Sequence, residues 1–165
     1  MAASRVNRLL QEQLKPIFGL GPVTPSSSTP DYVSLKNFHR MYVVIQALNA
    51  STVTGSAITL KQATSVAAGS EKALPFTFMY ANIDCAAGDT LTNTAVVSNT
   101  FTTDTTNSKQ LMYVIDVRPE MLDSEGGFDC VRAGTANAVN TTLAVTYYLV
   151  PKFTVNGQGP AAITD

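Results

Sequence analysis

A chain of 165 residues and 17.5 kDa is one domain's worth of sequence, long enough to bury about 70% of its unfolded surface. Eleven basic residues against twelve acidic ones leave a net charge of −1, which excludes a globally basic nucleic-acid binder. Charged residues are 14% and hydrophobic ones 45%, the reverse of a disordered composition, and one histidine, two cysteines and no tryptophan leave few side chains for acid–base or metal chemistry.

The first eight residues, Met1 to Arg8, lack the apolar core of a secretory signal. The longest apolar runs are short, as in Met41–Ile45, and a membrane helix needs about 20 apolar residues. The expectation is a protein made in a cytoplasm, with no membrane partner. From Ser4 to Leu20 the apolar residues Val6, Leu9, Leu10, Leu14 and Ile17 recur at helical spacing. Ser4 suits the N-cap, and Pro16 and Gly19 suit the end. Residues 1–20 therefore read as an amphipathic helical arm whose interface residues are Val6, Leu9, Leu10, Leu14, Ile17 and Phe18. Residues 21–31, with three prolines and a Ser/Thr cluster, read as an extended linker. Such an arm packs either on its own domain or on a neighbouring molecule.

Residues 32–153 read as strands separated by turns. Met41–Leu48, Ala57–Ala63, Ala73–Ile83, Leu91–Val97, Gln110–Val117, Phe128–Ala133 and Thr142–Val150 are apolar, β-branched or alternating. Gly-, Asn- and Ser-rich breakers lie between them. Seven or eight short strands with regular turns predict an all-β fold, an antiparallel β-sandwich or jelly roll. Residues 154–165 read as a flexible or extended tail.

Few residues carry chemistry. His39, the one histidine, sits between Phe38 and Arg40 at the start of an apolar strand and reads as a surface or packing residue. Hydrolase elbows, phosphate loops and dinucleotide fingerprints are absent from the sequence. No catalytic, cofactor-binding or metal-ligating residue is assigned, and the chain reads as a non-enzyme. Asp116, Glu120, Asp123, Glu125 and Asp129 form an acidic cluster that reads as a solvated turn, with Ca²⁺ ligation as the alternative. Cys85 and Cys130 match no metal spacing and read as small hydrophobes with reduced thiols, although spacing does not decide whether they pair. Asn49 and Asn140 begin glycosylation sequons. Residues 1–40 carry a net +3 and the remainder −4, which suits docking on an acidic partner or on an identical neighbour better than on nucleic acid.

Four stretches carry a family resemblance. They are Tyr32–Phe38 leading into Met41–Ile45; Ile58–Ala63 followed by Glu71–Phe76; Met112–Val117 with an acidic Gly turn and Phe128–Arg132; and Val145–Val150. Their order over residues 31–153 resembles the small β-sandwich decoration, or cement, proteins of tailed-bacteriophage heads. The resemblance implies a structural virion protein without catalytic residues or cofactors. Such a protein binds the outside of the shell, bridges neighbouring major capsid proteins, and forms homotrimers or homodimers. The alternatives are a virion adhesin or carbohydrate-binding jelly roll, and a connector, tail or coat component.

Overall fold

The computed structural model describes residues 10–26, 30–155 and 157–164. Within them the chain is all-β, with two antiparallel sheets, one helical turn α1 (Leu10–Gln13) and a 3-10 turn at Pro119–Met121. The strands are β1 (Lys15–Val23), β2 (Val33–Ser34), β3 (Phe38–Asn49), β4 (Ala57–Ala63), β5 (Lys72–Ala73), β6 (Phe76–Asn82), β7 (Thr92–Ser98), β8 (Thr100–Thr102), β9 (Gln110–Val117), β10 (Cys130–Thr135) and β11 (Thr141–Pro151). One sheet has six strands in the order β1-β11-β3-β9-β6-β7. The other has five, in the order β2-β10-β4-β5, with β8 also pairing with β4.

Alternation along the long strands makes the core. Met41, Val43 and Ile45 of β3 point inward, as do Leu111, Tyr113 and Ile115 of β9 and Leu143, Val145 and Tyr147 of β11. Ile58 and Leu60 of β4 and Val131 and Ala133 of β10 meet them from the other sheet. Each fully buried Leu or Ile contributes about 1.5–3 kcal/mol by leaving water. The Tyr147 hydroxyl crosses between the sheets and accepts the Ala133 N–H at 3.1 Å. The Tyr113 hydroxyl accepts the Asp104 N–H at 2.7 Å and ties down the loop before β9.

The helix expected over Ser4–Leu20 requires correction. Residues 4–9 lie outside the described residues; the helical part that is described is confined to Leu10–Gln13, and Lys15–Val23 is a strand. Pro16 cannot donate within a helix, and a turn of a few residues does not survive the cost of nucleation alone. As the edge of the six-stranded sheet, β1 loses little from Pro16 and Pro22, because their missing N–H groups can face away from β11. The register slips between Phe18 and Leu20 and again before Val23. Gly19 sits at the first slip, where an added Cβ would lie 2.9 Å from the Tyr147 ring and 2.9 Å from the Val145 carbonyl oxygen. Two described residues beyond β11 touch the two sheets: Ser34 N–H of β2 donates to the Ile163 carbonyl at 3.0 Å, and Lys15 Nζ of β1 donates to the Pro160 carbonyl at 2.9 Å.

Candidate functional site

The outer face of the six-stranded sheet follows from the same alternation. Val44 pairs with Thr146 on one side and Val114 on the other, and Phe18 and Tyr80 extend this row to β1 and β6. In the next row Tyr148 pairs with Tyr42, and Tyr42 with Asp116. Towards the other end lie Gln46, Met112 and Ala144, then Leu48, Gln110 and Thr142. Phe18 is 73% exposed and Leu48 54%, while Tyr42, Val44, Met112, Val114 and Tyr148 are half-buried side by side.

A charged cluster sits at one end of this face. Arg40 Nε lies 3.2 Å from Asp116 Oδ1, Arg118 Nη2 lies 3.2 Å from Asp116 Oδ2, and the Arg40 guanidinium donates to the Tyr42 hydroxyl at 3.0 Å. Asp116 offsets one of the two arginine charges, and the middle of the face carries none. The opposite end is concave. Pro22 and Cys85 flank a groove of about 410 Å³ floored by Leu48, Met112 and Ala144.

The outer side of the second sheet is different. Lys61 and Arg132 are register partners, so two cations stand side by side. Glu71 bridges them, with Oε2 2.9 Å from Lys61 Nζ and Oε1 2.5 Å from Arg132 Nη2. Tyr32 donates its hydroxyl to Glu71 at 2.7 Å, and its ring lies under the Arg132 guanidinium at 4.6 Å. Hydrogen bonds from Lys61 first and Tyr32 second hold the Glu71 carboxyl below the usual carboxylate range. Burial, reinforced by Glu71, pushes the Tyr32 phenol up.

The sequence-derived arm residues separate. Val6 and Leu9 lie outside the described residues. Leu10 is 64% exposed, and Leu14 is half-buried just after α1. Ile17 packs against the core while Phe18 points outward on β1, so strand alternation puts these two on opposite faces. His39 is exposed. The acidic cluster is dispersed: Asp116 pairs with two arginines, Asp123 with Lys72, and Asp129 accepts from Ser34 at 3.2 Å and from the Cys130 thiol at 2.9 Å. Among the described residues no group of three His, Cys, Asp or Glu could hold a metal ion. Both cysteines are free thiols, and burial with the neighbouring Asp129 pushes the Cys130 thiol up to about 12.

The sequon asparagines are structural. Asn49 is buried and donates to the Asp104 and Thr106 carbonyls at 2.9 and 3.0 Å, while Asn140 donates to the Ser51 and Thr52 carbonyls. The tyrosines divide. Tyr113 and Tyr147 are core, whereas Tyr42, Tyr80 and Tyr148 lie on the outer face. Sequence reading by alternation alone misses this outer face. Its signal is present, because Met41–Ile45 and Leu111–Ile115 are apolar at both parities, the pattern of strands covered on both sides.

No protein-family model matches the chain, and a comparison with curated proteins finds no match. Among solved structures the chain is similar to the SPBc2 prophage-derived protein YomS, with a TM-score of 0.47 and 14% identity, over 83% of this chain and 92% of that one.

Proposed function

We propose that this chain is a structural assembly subunit that decorates and stabilises a bacteriophage capsid from outside, with the major capsid protein as its partner. The observation that carries an assembly role is the broad outer face of the six-stranded sheet, rich in aromatic and aliphatic groups and free of charge across its middle. Protein interfaces have that composition: aromatic residues and methionine enriched, charge depleted from the centre. The capsid assignment rests on the four stretches that resemble phage decoration proteins. A decoration protein works by repetition, since many copies each holding a modest contact give a shell large total stabilisation. No step in that role requires a reacting side chain.

The test is the stoichiometry and position of the protein on purified particles by cryo-electron microscopy. Hundreds of copies at lattice positions outside the shell are expected. A few copies at one vertex or on the tail would move the assignment to a connector, and absence from particles would end it. A second reading follows from Tyr42 and Tyr148, half-buried register partners on the outer face. Neighbouring tyrosines can serve as a platform for sugars, and binding on a glycan array would favour an adhesin.

A further inference from the structure

We infer that the outer face of the six-stranded sheet is covered by a second copy of this chain, related by a two-fold axis, to give a four-layered dimer. The inference rests on the assembly role proposed above and names the occupant of that face. Three observations carry it.

The first is in the strands. β11, β3 and β9 are neighbours at the centre of the sheet, and each carries apolar residues outward as well as inward: Tyr148 and Val150, Tyr42 and Val44, Met112 and Val114. A sheet with one solvated face alternates apolar with polar, whereas near-continuous apolar runs belong to sheets covered on both faces.

The second is area. Six strands about 4.8 Å apart, with about eight residues each rising about 3.3 Å, present a face of about 650 Å². Two such faces bury about 1,300 Å², within the range of stable protein pairs. Stacked sheets pack about 10 Å apart with their strand directions nearly aligned, a geometry an identical sheet can meet.

The third is charge and edge structure. The two-fold operation sets like against like, so a self-contact suits a face without charge at its centre. Here Arg40, Arg118 and Asp116 are paired at the rim, and the central rows of the face carry no charge. The edges are poorer contacts. β1 carries Pro16, Pro22 and two register slips, and β7 carries an extra residue around Val96–Val97 that breaks its pairing with β6. β2, β5 and β8 are only two or three residues long. Association through the face is therefore favoured over sheet extension.

Sedimentation equilibrium of the full chain from about 1 to 100 µM tests this directly. A dimer is expected for the wild type. Val44→Lys places two cations near the two-fold axis, and a like-charge pair in a desolvated contact is expected to weaken the dimer about 100-fold. Phe18→Ser and Tyr80→Lys change the more exposed side chains of the same row, so they give the same readout if Val44→Lys fails to fold. Val97→Lys, on the β7 edge, is expected to leave the dimer intact. Unfolding temperatures measured alongside separate dissociation from misfolding. A monomer at 100 µM, a trimer, or a dimer indifferent to the face substitutions and lost with Val97→Lys would each overturn the inference. Particle stoichiometry is an independent readout. A monomer that still decorates shells removes the dimer alone, and a dimer absent from particles removes the capsid assignment alone.

Discussion

Tyr147 shows how one side chain does two jobs in this fold. Its ring lies where β1 passes at Gly19, and its hydroxyl accepts the Ala133 N–H of the facing sheet. Tyr147→Phe keeps the ring and removes the acceptor, stranding a buried N–H at a cost of about 1–3 kcal/mol. For a chain of this length that is a fall of about 3–10 °C in Tm, measurable by calorimetry. Glu71 is the electrostatic counterpart, since Lys61 and Arg132 would face each other without it. Glu71 and Asp123 are both held below the usual carboxylate range, Glu71 chiefly by Lys61 and Asp123 chiefly by Lys72. The folded chain therefore keeps them ionised to lower pH than the unfolded chain does. Their stabilisation is in place above the ordinary carboxylate value near 4 and is lost as pH falls through the lowered folded values. Glu71→Gln is expected to lower Tm at neutral pH and to flatten its fall between about pH 5 and pH 2. A Tm profile parallel to wild type would show that Glu71 contributes nothing beyond shape.

At the scale of elements, legibility depended on how much of a strand's pattern is local. Ala57–Ala63 and Gln110–Val117 were readable to their ends, because alternation and flanking turn residues coincide there. Lys15–Val23 was not. Leu10, Leu14 and Ile17 fit helical spacing, and two prolines and two glycines argue against a strand. What makes it a strand is β11, more than a hundred positions later by sequence number, and no local window holds that information. The same pairing changes what truncation does. Removing residues 1–20 takes away most of β1, uncovers the β11 edge and opens the core at Ile17. Gly19→Ala probes the contact with less damage. The new Cβ would meet backbone at Val145 as well as the Tyr147 ring, so β1 must shift outward. Faster hydrogen exchange of the β11 amides that face β1 is expected, with β3–β9 protection unchanged. Equal exchange across β11 would mean that β1 accommodates the methyl group without moving.

For the whole molecule, the two outer surfaces make opposite demands on solvent. One is uncharged across its centre, and the other carries Lys61, Arg132 and Glu71 in paired contacts, with the Lys72–Asp123 pair at its β5 edge. Sequence alone did not separate them, because net charge and the N-terminal asymmetry average over both sheets, whereas strand parity assigns each residue a side. If the uncharged face joins two copies, the charged faces point outward on both sides of the dimer and are the surfaces left to meet a shell. Salt then distinguishes the two contacts. Raising ionic strength from about 0.1 to about 1 M shortens the screening length from about 10 to about 3 Å. Contacts between exposed charges weaken, while apolar contact is untouched or strengthened. The dimer is expected to hold or tighten over that range, and attachment to shells, followed by co-sedimentation, is expected to fall. Loss of the dimer in salt would show that charge holds the copies together, and salt-resistant attachment would place the shell on apolar surface.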